Sequence, residues 1–469
     1  MSSEERAGEH MAAHSDATHT AADDPSTYPS SFAAWYSVAV LMLMYIFSFI
    51  DRTTISLLVE PMKRDLHLSD TQIGMMQGLA FALLYTFLGL PIARLSDRHS
   101  RRAIIAAGVF IWSIMAALCG VARTATQLFL ARVGVGVGEA ALSPAAYSMI
   151  TDSFPRSKLG SAFGVYNVGI TIGAGTAFLV GGIVVAAVSH AGATYTLPLL
   201  GEIRAWQMVF IVTGAPGIVL PLLMLTFREP ARRGMLRRGS AQPAAAVSRP
   251  PLREVLSYVG SNSKFYGLYF VALALLAMCG YCTAAWLPTA LIRVYGVTAA
   301  QVGKVLGISF ILMNSTGMLL AGLLCDRLTR RGKKDAPIIV ALISACGIAL
   351  LGGLPPFMPA VPLIWAAIFV SGITFNAYNG VGPMAINQVT PNQYRAQISA
   401  VYLFVVNALG LGVGPTLVPF VNEHVFHDPA KIRYSLVIVV ICSAVAAIAL
   451  LLIVRPIYRQ KQTEAAQWQ

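Results

Sequence analysis

Twelve apolar stretches punctuate the chain, near residues 34–58, 71–95, 103–122, 126–150, 160–188, 206–227, 265–292, 299–325, 336–355, 360–387, 396–422 and 433–455. At about 1.5 Å per helical residue, each is long enough to cross a hydrocarbon layer roughly 30 Å thick. The pattern predicts an all-α membrane protein of twelve transmembrane helices. An even count returns the chain to its starting side. The segment 228–263 is rich in Arg, Pro, Ser and Gly and separates six runs from six. The expected organisation is therefore a disordered tail over 1–31, an N-terminal six-helix bundle over 32–227, a linker over 228–263, a C-terminal six-helix bundle over 264–456 and a tail over 457–469.

Composition removes the soluble alternatives. The 469 residues are 56% hydrophobic and only 12% charged, where a soluble domain carries about 25%. The net charge of +13 would suggest nucleic acid in a soluble protein. Here most Lys and Arg follow the even-numbered runs, as cytoplasmic loops require. Both termini are expected in the cytoplasm, and no nucleic-acid partner is expected. The six cysteines lie almost entirely in apolar runs, against a disulfide framework. Residues 1–31 lack the basic and apolar regions of a cleaved signal, so the first run reads as a true helix. Compact loops suit a bacterial inner membrane, and a monomer is expected.

The halves repeat. Ser69-x-x-Gln72-Ile73-Gly74-x-x-x-Gly78 matches Thr298-x-x-Gln301-Val302-Gly303-x-x-x-Gly307 at an offset of 229 residues. Asp97-Arg98-x-x-Arg101-Arg102 matches Asp326-Arg327-x-x-Arg330-Arg331 at the same offset. Pro155, Val165 and Tyr166 match Pro391, Val401 and Tyr402 at 236, the extra residues fitting the loop Pro355–Pro359. Parallel six-span repeats are a common plan of secondary carriers, in which two bundles rock about a central site.

The second of these motifs resembles the loop signature of the major facilitator superfamily, Gly-x-x-x-Asp-Arg-x-x-Arg-Arg. It is complete at Gly322–Arg331, while Ala93 replaces the leading Gly in the first copy and is expected to loosen helix packing there. Arg132-x-x-x-Gly136-x-Gly138-x-Ala140 is similar to the family's fourth span. Asp51-Arg52-Thr53-Thr54, with Arg132 to Ala140, resembles the Spinster-like branch. That resemblance implies the major facilitator fold in two pseudo-symmetric bundles and proton-coupled transport of lysolipid or sphingoid-type amphiphiles. It also implies that Asp97, Arg98, Arg101 and Arg102, with Asp326, Arg327 and Arg330, latch the cytoplasmic ends when the carrier faces outward. Asp152 closes the fourth span on the same side and is expected to pair with Arg101.

Asp51 and Arg52 in the first span, and Arg132 and Glu139 in the fourth, are ionisable residues inside hydrocarbon. Such groups should face a cavity and pair. From the outer helix ends their depths are about 13 Å for Asp51, 9 Å for Arg132 and 20 Å for Glu139. Arg132 and Glu139, seven apart, share a helix face. The expectation is that the two acids carry protons, that the two Arg residues set their affinities, and that an anionic headgroup competes for a freed Arg. Candidate cavity residues are Tyr45, Phe81, Tyr85, Tyr147, Tyr166 and Asn167 in the first half, with Tyr281, Trp286, Asn314, Asn376, Asn379 and Asn407 in the second. Charge on one wall and apolar amides on the other suit an amphiphile better than a sugar.

Other signals fail on context. Gly136-Val137-Gly138-Glu139-Ala140-Ala141 fits a dinucleotide fingerprint but follows no strand. Cys279-Gly280-Tyr281-Cys282 lies inside the seventh span. No phosphate-binding loop or metal-ligand spacing occurs, so no cofactor is expected and a proton gradient is the expected energy source. A membrane enzyme is disfavoured because no nucleophile has its base. The alternatives are a carrier of drugs or small organic anions, and a non-transporting receptor. In exporters of this superfamily the fifth span usually carries a Gly-Pro pair. Here it reads Gly173-Ala174, and the pair falls at Gly414-Pro415, which leaves the direction of coupling open.

Overall fold

The computed structural model describes residues 28–190, 194–198, 201–232 and 252–465. Among these residues, twelve helices are long and apolar enough to cross a membrane: Ser31–Leu57, Asp70–Gly89, Arg101–Cys119, Ala125–Ser153, Ser161–Val188, Ala205–Leu225, Ser263–Tyr295, Ala299–Arg330, Ala336–Phe357, Val361–Gln388, Gln397–Phe426 and Pro429–Ala465. Both ends of the described chain therefore lie at one membrane face, called here the terminal face. The opposite one is the distal face. Residues 1–27 of the expected first tail, 233–251 of the expected linker and 466–469 of the second tail lie outside the described residues.

The repeated motif over residues 69–78 has a direct physical meaning. Ser69 Oγ accepts from the Gln72 amide at 3.1 Å while Gln72 Oε1 accepts from the Ser69 amide at 2.9 Å. Thr298 and Gln301 make the same reciprocal pair at 3.2 and 3.0 Å. These capping boxes start the second and eighth spans. The glycines that follow let backbones of opposite halves meet. A Cβ at Gly78 would lie 2.7 Å from the Leu411 carbonyl oxygen, and one at Gly307 would lie 2.6 Å from that of Gly175.

This close seam exists only toward the distal face. Gly74, Gly78, Gly182, Gly303 and Gly307 press on the other half, whereas Gly89, Gly164 and Gly322, nearer the terminal face of the same helices, meet open space. The apolar cores divide the same way. One core unites the second half with distal parts of the first, such as Ile55, Leu58, Met76, Phe178 and Phe210. A second core, built on Val38, Leu41, Val109, Trp112 and Met149, fills the terminal part of the first half and takes in Leu411 from the second. The halves are thus joined distally and apart at the terminal face. Gly78→Ala and Gly307→Ala are each expected to widen the distal separation between spin labels at the exposed positions Arg64 and His424, in a variant lacking the exposed Cys346 and Cys442. An unchanged distance would show that the seam does not depend on these glycines.

Three elements differ from expectation. The last helix runs from Ile432 to Ala465 and does not stop at 456. Tyr458 is buried, packs on Phe265 at 5.9 Å and donates to Gln388 Oε1 at 2.5 Å, which holds the polar extension in place. Between the fifth and sixth spans, strands Thr194–Leu197 and Gly201–Arg204 form an antiparallel hairpin. Within the expected linker, the helix Leu252–Ser261 docks on the eleventh span: Tyr258 stacks on Tyr394 at 4.8 Å, and Tyr394 Oη donates to Glu254 at 2.6 Å.

Candidate functional site

The fourth span is interrupted. Its first helix, Ala125–Glu139, ends on the acid, and a second begins at Leu142. The tenth span breaks at the equivalent place, after Val361–Phe375, an offset of 236 residues at both ends. The break is thus part of the scaffold, and the first half has placed a carboxylate at it.

Glu139 is 2% exposed. Its Oε2 accepts from Ser48 Oγ at 2.5 Å and from Arg52 Nε at 2.5 Å, with Arg52 Nη2 completing an ion pair. The Arg52 guanidinium sits 4.3 Å from the Phe81 ring centre, 5.1 Å from Tyr85 and 5.3 Å from Phe49. Those aromatic faces stabilise the cation where water is excluded. Asp51 is buried beside the pair. Arg132 is buried as well, but it does not pair with either acid. Nη1 donates to the Asp51 carbonyl oxygen at 3.1 Å and Nε to that of Met76 at 3.4 Å. The reason is geometric: two helical turns, about 10 Å, separate Arg132 from Glu139 along their helix, while the ends of broken helices nearby offer free carbonyls. Asp51 Oδ1, Glu139 Oε1 and Arg132 Nη2 are buried without a hydrogen-bond partner among the described residues.

Around this site the aromatic wall is continuous. Tyr45 stacks on Tyr166 at 5.2 Å, and Tyr147 meets Tyr166 edge-on at 5.6 Å and donates to Asn167 Oδ1 at 3.3 Å. From the second half, Tyr281 packs against the core of the first. It occupies the repeat position of Arg52, at the offset of 229. Asn379 is exposed and donates to Asn376 at 2.9 Å, and Asn407 is half-buried in a wide turn over Val406–Val413. Two expected cavity residues are elsewhere. Trp286 is fully buried and donates to the Pro415 carbonyl at 2.6 Å, supporting the helix behind the distal seam. Asn314 is buried at the end of a π turn, beside Gly372 of the tenth span. Both side chains are buried in the packing between helices.

At the terminal face Arg101 pairs with Asp152, and its Nε reaches Glu229 Oε1 at 3.0 Å. Arg102 donates to the Phe227 carbonyl. These contacts stay within the first half. Arg98, Asp326, Arg327 and Arg330 are exposed, and the side chain of Asp97 lies outside the described residues. The clamp is not repeated: Gln388 stands where Asp152 does in the first half, and it accepts from Tyr458 and from Gln462 at 2.8 Å. Burial raises the proton affinity of Glu229, but hydrogen bonds from Ser100 and Arg101 outweigh it and hold the carboxyl below its ordinary value of 4.5. The folded value is the lower one, so this contribution to stability is complete above 4.5 and is lost as pH falls through the folded value. Glu229→Gln is expected to lower the melting temperature at pH 7 and to lose less on acidification to pH 4 than the wild type does. Parallel melting curves at the two pH values would rule this out.

The distal seam carries a network that motif reading missed. Arg293, at the end of the seventh span, donates to Asp70 Oδ1 and Oδ2 at 2.7 Å each and also pairs with Glu60. Lys63 reaches Asp70 Oδ1 at 2.9 Å. Glu423 accepts from the Thr71 amide at 3.0 Å and its hydroxyl at 2.6 Å. Asp70, directly after the repeated Ser69, has Ala299 as its counterpart, and that asymmetry was the available signal.

Two pseudo-equivalent bundles, a seam shut at one face and a buried ion pair ringed by aromatic side chains define a secondary transporter. Residues 41–415 match the family model of the Major Facilitator Superfamily. An MFS-type efflux pump of Mycolicibacterium smegmatis is 28% identical over 401 residues, 84% of this chain and 86% of that protein. A probable L-galactonate transporter of Escherichia coli is 25% identical over 437 residues, 89% of each. A solved bacterial homolog of the human lysosomal transporter Spinster, inward-facing and unoccupied, superposes with a TM-score of 0.73 at 27% identity, covering 94% of this chain and 99% of that one. The chain belongs to the major facilitator superfamily and is Spinster-like. The matched family is one of transporters, not of enzymes.

Proposed function

We propose that the protein is a proton-coupled carrier that moves lysolipid or sphingoid-type amphiphiles by alternating access. The terminal face is cytoplasmic in this reading, in a bacterial inner membrane, and the present state is open inward. One observation carries the proposal: Arg52 is shared between Glu139 and the faces of Phe81 and Tyr85, and its side chain keeps 15% exposure. An anionic headgroup that draws Arg52 away leaves Glu139 as an uncompensated buried carboxylate, which then takes a proton. The same exchange run backward releases both. The tyrosine wall supports an acyl or sphingoid chain. The protein works as a monomer, with the proton gradient as its energy source and no cofactor.

A second reading keeps the fold and changes the cargo to a small organic anion. Arg52 favours it too, and the L-galactonate transporter of Escherichia coli is a relative. Purified protein in liposomes separates the two. Labelled lysophospholipid should accumulate when a pH gradient is imposed, and a large excess of galactonate should leave that uptake unchanged. Accumulation of labelled galactonate without lysolipid uptake would replace the first reading with the second.

A further inference from the structure

We propose that Ser48 is a positioning residue of the proton site: its hydroxyl anchors Glu139 Oε2, so that Oε1 is the atom that takes the proton. This rests on the proton-coupled reading above and adds the residue that tunes it.

Ser48 lies one turn before Arg52 on the first span, so both side chains share a helix face. Both donate to the same carboxylate oxygen, at 2.5 Å each. Hydroxyls in membrane helices ordinarily bond back to their own main chain. In the first span, Ser37 does so to Ala34, Thr54 to Ile50 and Ser56 to Thr53. Ser48 instead crosses to the fourth span, and it is 1% exposed. The second half supplies an internal comparison. Ala277 stands at the repeat position of Ser48 and Phe375 at that of Glu139. The hydroxyl and the acid are present together and absent together.

The two donors differ in freedom. The Arg52 side chain is 15% exposed, whereas Ser48 is short and enclosed. When an anion takes Arg52, Ser48 still satisfies Oε2. The bare, buried Oε1 then accepts the proton, forming the O–H bond without rotation of the carboxyl group. Arg52 keeps its charge and pairs with the anion. The charged neighbours of Glu139 are Asp51 and Arg52 from the first span and Arg132 on its own helix. The phenols of Tyr45 and Tyr85 stand near Arg52, and Tyr166 of the fifth span stacks on Tyr45. The third span packs on Gly138 through Trp112, which does not titrate.

The test uses full-length protein in liposomes, with labelled lysophospholipid uptake followed across pH. Ser48→Ala removes one of the two donors to Glu139 Oε2. Half-maximal uptake should move upward by roughly one pH unit, with KM for lysolipid changed less than about two-fold. Ser48→Thr should restore the wild-type profile, and Ser48→Cys, a weaker donor of similar size, should fall between. A pH-dependent wild type with an unshifted Ser48→Ala or Ser48→Cys profile overturns this inference alone. A wild type indifferent to pH overturns the coupled reading and this inference with it.

Discussion

Replacing Arg293 with Ala is expected to open the distal face. Arg293 is the one residue that ties the end of the seventh span to both Glu60 and Asp70 among the described residues. Asp70 is 1% exposed, so without Arg293 it keeps only Lys63 as a charged partner. These contacts exist only while the seam is shut, so their loss is felt by the closed state alone. Losing the three charge-assisted hydrogen bonds of Arg293, with Lys63 left on Asp70 and Glu60 returned to water, costs a net of about 2 kcal/mol, which shifts the equilibrium roughly thirty-fold toward distal opening. Spin labels at Arg64 and His424 should report a second, longer distance as the major population. Asp70→Asn should act in the same direction but more weakly, because Glu60 still holds Arg293. A single wild-type distance in both variants would mean that the glycine seam alone closes this face.

Glu139→Gln is expected to uncouple transport. Gln keeps the size and can still accept from Ser48 Oγ, but it neither carries a proton nor balances Arg52. Arg52 is then a buried cation without its partner, held by the rings of Phe81, Tyr85 and Phe49. Uptake driven by a pH gradient should fall at least a hundred-fold, while exchange of internal for external lysolipid at equal pH should persist. Because Arg52 no longer chooses between an acid and a headgroup, lysolipid should bind more tightly and independently of pH. Isothermal titration at two pH values measures that directly. Retained pH-driven accumulation would move the coupling site elsewhere, with Asp51 the next carboxylate to examine.

The membrane body was legible because hydrocarbon demands long apolar runs with internally satisfied backbones. The repeat was legible because the same capping box opens the second and eighth spans. The presence of Asp51, Arg52, Arg132 and Glu139 at one site also followed, since ions in apolar runs must converge. Which of them pair did not follow. Helical spacing puts Arg132 and Glu139 on one face, yet Arg52 reaches Glu139 from another helix and Arg132 turns to main-chain carbonyls at helix breaks. Such breaks depend on tertiary packing, not on local propensity. The distal network was hidden for a similar reason. Asp70 and Arg293 are 223 residues apart and sit at helix ends, where charges are commonplace. The hairpin Thr194–Arg204 has strands of four residues, too short for a clear alternation.

In the proposed mechanism proton and amphiphile bind together, the proton on Glu139 and the anionic headgroup on Arg52, and leave together. This coupling is tested most directly by adding lysophospholipid to protein-containing liposomes at equal internal and external pH while a trapped dye reports internal pH. Lysolipid entry is expected to lower internal pH in the wild type and to leave it unchanged in Glu139→Gln. Lysolipid entry with no proton movement in the wild type would contradict it.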